Sequence, residues 1–343
     1  MRLFLIRHGE TVDNVAGLYA GSRDSQLTNH GFQQAGRLGQ HFRDTDVRLT
    51  HIFASPLQRA RITAERIRDA QPGAASQAAN KASLPITSSP LLKEQDFGFY
   101  EGKAFFERPH GSNKTGKQDH LDKHKDEPGF VDVESKDSMA ERMDTFLREH
   151  ILGLWQSDGE SQEHVVAVVS HGIILSVLWR RILRHLPRKS VSLVPELMSS
   201  QPVSLEHLGG FSNTGFLELV MARGKDSDSA DPALKPSLKP DDTKAAQENV
   251  ETLTDSVPED STDARLLPQS PEAVPAQYAE RIVPAPEVEN VANILRNWTT
   301  TICVINGKEH LRNFKRTGGG VGSSAYNEGQ KTIESFFKRR KVD

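Results

Sequence analysis

Near the start of the chain, Arg7-His8-Gly9-Glu10-Thr11 sets a guanidinium beside an imidazole, directly after the apolar run Leu3-Phe4-Leu5-Ile6. A guanidinium fork matches a phosphate group bidentately. A neutral imidazole is a nucleophile near neutral pH. Gly9 allows the backbone to turn away sharply and leave the ring accessible. A second histidine sits in a similar setting at Ser170-His171-Gly172. Between them, Ser55-Pro56-Leu57-Gln58-Arg59-Ala60 offers another arginine. Two arginines and a helix N-terminus that converge on one point describe an anion site. With an imidazole at that point, the chemistry these residue types could do together is phosphoryl transfer, while a chance Arg-His pair at a strand end is the alternative.

The elements that must position these groups are legible. Leu3–Ile6 reads as a buried strand, so Arg7 and His8 fall at the carboxyl edge of a sheet, where open α/β sheets build their sites. His51–Ala54 is a second short strand, with Ser55 as N-cap and Pro56 as first residue of the helix that carries Arg59. The β-branched run Val165–Val169 predicts a strand buried on both faces, and the apolar helix Ile173 to Leu183 follows His171. Thr11 to Gln26 reads as a loop. A helix follows it, capped by Thr28 or Asn29, with Phe32, Ala35, Leu38 and Phe42 at helical spacing. Met139, Met143, Phe146, Leu147, Ile151 and Leu154 mark a long amphipathic helix. Phe211 to Val220 and Thr301 to Ile305 read as further strands. Alternating strands and helices predict a three-layer α/β fold, a mostly parallel sheet with helices on both faces.

The Arg-His-Gly and Ser-His-Gly junctions resemble the histidine phosphatase superfamily, the phosphoglycerate-mutase-like fold. Asn14, Gly21, Asp24, Leu27-Thr28, Gly31 and Gln34-Ala35 match a stretch of that family, and Ser55-Pro56-x-x-Arg59-Ala60-x-x-Thr63-Ala64 matches another at every fixed position. The resemblance covers residues 1–221 with 291–311, where Asn306 to Leu311 is similar to the family's closing Asn and His-Leu. It implies that His8 is the nucleophile, that Arg7, Asn14, Arg59 and His171 hold the phosphoryl group, and that His171 donates a hydrogen bond to it. The Leu-x-Glu-x-x-x-Gly-x-x-Glu-Gly run from Leu92 to Gly102 implies that Glu94 is the proton donor and acceptor, with Glu101 fixing the loop. On spacing alone both carboxylates also fit loop surface charges. No cofactor or metal is expected, because the arginines offset the phosphoryl charge. Gly21-Ser22-Arg23-Asp24 and the Glu94 to Lys103 segment are most similar to the fructose-2,6-bisphosphatase-type phosphatases.

Composition bounds the rest. A net charge of -3 points to no direct nucleic-acid or membrane partner. The single cysteine, Cys303, allows no disulfide within the chain and suits a reducing compartment. No basic, apolar and small-residue leader precedes the first strand, and no apolar run approaches the length of a membrane span. The polar loop Glu107 to Gly129 carries His110, His120 and His124, whose spacing matches no zinc pattern and reads as a solvated loop. Residues 222–290 are rich in Asp, Ser, Lys, Pro, Ala and Glu, and read as a disordered insert between two strands of one sheet.

The C-terminal segment 312–343 reads as a flexible tail, with Gly318 to Ser324 as a Gly/Ser linker. Within it, residues 330–337 resemble a PIP box, the peptide that binds the sliding clamp PCNA. Gln330 would hydrogen-bond at the edge while Ile333, Phe336 and Phe337 project as an apolar plug from a helical turn. The basic cluster 338–341 is similar to a nuclear import signal and suits an acidic partner surface. The reading is a metal-independent phosphomonoesterase of nucleus and cytoplasm, tethered to the clamp. Its alternatives are a phosphoglycerate-type mutase and a clamp-binding adaptor on a phosphatase scaffold. The substrate is a phosphorylated small molecule, with a phosphoprotein left open.

Overall fold

The computed structural model describes residues 1–72, 84–105, 121–122, 124–156, 163–187, 189–198, 203–224, 295–318 and 320–327. The chain divides into two units, Met1–Lys225 with Val288–Asp343 and Asp226–Glu287, and the described residues all belong to the first. The tail motif 330–337, the basic cluster, His110, His120 and nearly all of the insert lie outside the described residues.

Strand β1 (Arg2–Arg7) runs parallel to β4 (Val165–Ser170), with Arg2 opposite Val165 and Arg7 opposite Ser170. This register brings His8 and His171 out side by side at one edge of the sheet. β2 (His51–Ala54) lies parallel on the other side of β4, with Ala54 opposite Val169, so Ser55 emerges at the same edge. β3 (Ile86–Ser88) follows β2 in parallel. β6 (Phe216–Arg223) is antiparallel to β1, and β7 (Trp298–Gly307) is antiparallel to β6. β5 (Val191–Leu193) pairs in parallel with β7 and completes the order β3-β2-β4-β1-β6-β7-β5. Parallel pairings predominate, as the alternating elements imply, and β6 is the exception. Because it runs backwards, the start of β6 and the end of β7 join the site edge, with Phe216 opposite Gly307. The excursion from β6 to β7 leaves from the opposite edge, where Arg223 faces Trp298.

Alternation along β1 feeds two cores. Leu3 and Leu5 pack with Met139, Met143 and Phe146 of α4 (Lys136–Phe146) and Ile174, Leu175 and Leu178 of α5 (Gly172–His185). Phe4 and Ile6 pack on the other face with Leu38 and Phe42 of α2 (Asn29–Asp44) and Ala60, Ala64 and Ile67 of α3 (Gln58–Asp69). Burying each large aliphatic or aromatic side chain contributes about 1.5–3 kcal/mol, so the central strand is held from both sides. α4 continues through a π-helical turn, Leu147–Ile151, into Leu152–Gln156, the long amphipathic helix that the spacing predicts.

Three local expectations are corrected. Thr11 to Gln26 is not all loop. Thr11 and Asn14 form a reciprocal capping box that starts α1 (Val12–Ala16). Ser55 does not cap α3, whose N-cap is Leu57 without a side-chain bond. Phe211–Gly215 is not strand but the turn before β6, since Thr214 takes φ 55 and a Cβ on Gly215 would fall 2.1 Å from Asn306 Oδ1. Among the described residues no helix is long and apolar enough to cross a membrane.

Candidate active site

His8 follows β1 directly, and its backbone N–H continues the parallel ladder to the Ser170 carbonyl at 3.0 Å. Its Nδ1 lies 2.6 Å from the Gly9 carbonyl. A carbonyl only accepts, so Nδ1 carries the proton and Nε2 keeps its lone pair. The ring is 4% exposed. Burial pushes the His8 pKa well below the usual histidine range, and the positive charges of Arg59 and Arg7 push it further. The sequence anticipates the cations but not the larger part played by burial. Gly9 is obligatory, because a Cβ there would fall 2.4 Å from the Gly31 carbonyl oxygen.

Arg59 stands in the first turn of α3, 1% exposed. Its Nε donates to Nδ1 of His171 at 3.1 Å, Nη1 to the Arg23 carbonyl at 2.7 Å, and Nη2 to the carbonyls of Ala20 and Gly21 at 3.1 and 2.8 Å. Four of its five N–H groups therefore hold protein, and they bind the 20–23 loop to the site. An arginine can only donate, so Nδ1 of His171 is an acceptor and its Nε2–H donates to Ser55 Oγ at 2.9 Å. Both ring nitrogens of His171 are thus engaged, 5.1 Å centroid to centroid from the His8 ring.

Arg7 presents the complementary picture. Nη1 donates to the Phe211 carbonyl at 2.6 Å, while Nε is buried with no hydrogen-bond partner among the described residues. A buried, unpaired guanidinium N–H costs desolvation energy that an incoming anion would offset. Asn14 is similarly half-committed. Its Oδ1 accepts from the Thr11 N–H at 3.2 Å and from Asn213 Nδ2 at 3.1 Å, which leaves Nδ2 free to donate.

Glu94 lies over the start of α5. Its Oε2 accepts from the Ile173 N–H at 3.1 Å, and its Oε1 from the N–H groups of Ile174 and Gln95, both at 3.0 Å. The helix N-terminus holds a carboxylate there, and that carboxylate acts electrostatically on both Arg7 and Arg59. Glu101 has a purely structural set of partners: the N–H groups of Gly21, Ser22, Arg23 and Phe97 at 2.9–3.2 Å. It fixes the loop that Arg59 also grips, as the sequence implies.

Several residues of the site have contacts that the sequence did not assign. Ser55 turns its hydroxyl to His171 instead of capping a helix. Asn213 bridges the His8 carbonyl, at 3.3 Å, and Asn14. Thr214 donates its N–H to the His8 carbonyl at 3.1 Å and takes a bond from Nε2 of His310 at 2.8 Å. Burial keeps His310 neutral, its pKa pushed down to about 3. Asn306 orders this turn by accepting from the Ser212 N–H at 2.8 Å. Of the three loop histidines, His124 alone is described, and among the described residues no group of three or more His, Cys, Asp or Glu is arranged to hold a metal.

This geometry agrees with the comparisons to known proteins. The model of the histidine phosphatase superfamily (branch 1) matches residues 3–206, and the chain belongs to that superfamily. It is 34% identical over 183 residues to the probable phosphatase C1620.13 of Schizosaccharomyces pombe, covering 52% of this chain and 55% of that protein. This chain thus spans about half the length of that relative. It is 33% identical over 184 residues to the probable phosphoglycerate mutase GpmB of Erwinia tasmaniensis, covering 53% of this chain and 75% of that protein. The broad-specificity phosphatase YOR283W of Saccharomyces cerevisiae is 24% identical over 231 residues, 65% of this chain and 91% of its own length. Among solved structures, mycobacterial hydrolase 1 superposes with a TM-score of 0.45 at 21% identity, over 66% of this chain and 92% of its own.

Proposed function

We propose that this chain hydrolyses phosphomonoesters through a phosphohistidine formed on Nε2 of His8. The observation that carries the reading is the pairing of an unprotonated Nε2 on buried His8 with the unpaired buried Nε–H of Arg7. A nucleophile and an anion donor are ready at one point. The phosphoryl group of the substrate takes bonds from Arg7 Nε, from Asn14 Nδ2 and from Arg59. As Arg59 turns its Nε–H to the phosphoryl oxygens, Nδ1 of His171 is released. The arriving negative charge favours its protonation, and it then donates. Nε2 of His8 attacks phosphorus, the P–N bond forms and the P–O bond to the leaving group breaks. Glu94, protonated on Oε2 in the substrate complex, gives that oxygen its proton. Its Oε2 has a single backbone partner, and so has room to carry one. Water then attacks the phosphohistidine, Glu94 takes a proton from it, and His8 leaves neutral as phosphate departs. The cations spread around phosphorus offset the charge of the transition state.

Glu94→Gln tests the acid role. General acid catalysis contributes about 10²–10⁴-fold, and a leaving group that needs no proton does not draw on it. The variant is therefore expected to lose about 10²-fold or more on alkyl phosphates and far less on p-nitrophenyl phosphate. Equal losses on both would remove Glu94 from that role. The mutase alternative is kept alive by the resemblance to the Erwinia protein. Release of free phosphate from a phosphoglycerate, instead of its isomerisation, separates the two.

The tail adds a second proposal, supported by the sequence pattern at 330–337 and the basic cluster at 338–341: the enzyme is carried to the nucleus and tethered to the sliding clamp. Phe336→Ala with Phe337→Ala is expected to abolish clamp binding in a pull-down or calorimetric titration and to leave kcat unchanged. Unaltered clamp affinity in the double variant would remove the tether.

A further inference from the structure

The chain beyond β7 does not leave the domain at residue 312. Phe314 stacks on His30, ring centroids 4.6 Å apart and planes within 5°, beneath the Arg37 guanidinium. Tyr326 stacks on Phe32 at 3.7 Å and gives its N–H to the Leu27 carbonyl at 2.8 Å. Asn29 reaches across to the Val321 carbonyl and Ser324 Oγ, both at 2.9 Å. Gly320 and Gly322 serve a tight turn. Gly320 takes φ 79, and a Cβ on buried Gly322 would fall 2.5 Å from Cγ of Arg316. The turn is thus wrapped around Arg316, whose Nη1 donates to Ser323 Oγ at 2.9 Å. Its Nη2 donates to Oε2 of Glu10.

Glu10 is 8% exposed and lies two residues past His8. Its Oε1 accepts from Thr28 Oγ at 2.9 Å, and among the described residues Arg316 is the one cation bonded to it. A buried carboxylate without a cation is costly. The peptide between Gly9 and Glu10 has a double duty. Its carbonyl takes the Nδ1 proton of His8, and its N–H donates to Gln34 Oε1 at 3.0 Å. The orientation of that one peptide plane therefore determines which nitrogen of His8 is the nucleophile.

We propose that residues 312–318 and 320–327 form a strap that completes the active site, with Arg316 as a positioning residue for His8 acting through Glu10. Arg316 neutralises the carboxylate and holds the Gly9–Glu10 peptide in the plane that keeps Nε2 unprotonated and aimed. The step it serves rests on the reading of His8 as nucleophile. Among the described residues no hydrogen bond or ion pair joins the strap to Arg7, Asn14 or Arg59, so its loss is expected to fall on kcat and not on substrate binding.

The test uses the full chain with p-nitrophenyl phosphate, and ¹⁵N-histidine NMR for the His8 tautomer. Arg316→Ala is expected to lower kcat about 10- to 100-fold, the size of a misplaced reacting group, with KM within about twofold. The His8 ring is expected to lose its uniform Nδ1–H signature. Adding Glu10→Gln to Arg316→Ala removes the stranded charge and is expected to restore most of kcat and the signature. An Arg316→Ala enzyme with unchanged kcat and tautomer overturns the strap while the phosphatase reading stands. So does a loss that Glu10→Gln does not relieve. If the wild type releases no phosphate but the tautomer follows the cycle, the phosphatase reading fails and the strap is supported.

Discussion

Replacing His8 with alanine is expected to abolish phosphate release, lowering kcat by about 10⁴-fold or more, as removal of a covalent nucleophile does. Among the described residues no other group takes its place: His171 is its neighbouring imidazole, and with substrate bound its Nδ1 is protonated and its Nε2–H stays on Ser55, which leaves no lone pair to attack with. The fold should survive, because the ladder bond from residue 8 to the Ser170 carbonyl uses the backbone and is kept by alanine. What is lost is the Nδ1–H bond to Gly9, and an unsatisfied buried carbonyl costs about 1–3 kcal/mol. Circular dichroism and a thermal melt would show a folded, somewhat less stable protein beside a phosphate assay at background. Turnover within about tenfold of wild type would contradict the proposed chemistry.

Arg59→Lys is expected to carry the second-largest effect. A lysine keeps the charge but has neither the fork nor the second row of donors. It cannot serve His171 and the carbonyls of Ala20, Gly21 and Arg23 together. The 20–23 loop loses one anchor and keeps Glu101 and the ion pair of Arg23 with Asp13 at 3.2 Å. Loss of a preorganised donor at a developing charge costs about 10²–10³-fold in rate, and kcat/KM should fall at least that far. Stranding buried carbonyls at about 1–3 kcal/mol each should also lower the melting temperature. A variant with wild-type kinetics would show that Arg59 only staples the loop.

Much of this site was legible because its parts sit where local pattern and chemistry coincide. A strand's end is visible from an apolar run, and His8, His171 and Arg59 each stand at such an end. Parallel register then does the rest, with Arg7 opposite Ser170. Glu101 was readable as structural from its place in a matched motif. Asn213 and Thr214 were not, since they reach His8 only through the antiparallel pairing of β6 with β1, a contact of high sequence separation. Ser55 was misread because helix capping and an imidazole partner ask the same of a hydroxyl. Gly320 and Gly322 were read as linker for a similar reason: the composition of a flexible linker is also that of a turn that needs a positive φ at one position and no Cβ at another. Arg316 and Glu10, 306 residues apart, carry no mutual signal in one sequence.

The phosphohistidine itself is the most direct test. The full chain would be mixed with a ³²P-labelled phosphomonoester, quenched in alkali within the first turnover, digested and mapped. Label that is stable to base, labile to acid and carried on the peptide containing His8 is the predicted result, and His8→Ala should carry none. Phosphate release with no label on His8 at any time in the first turnover would contradict the covalent mechanism.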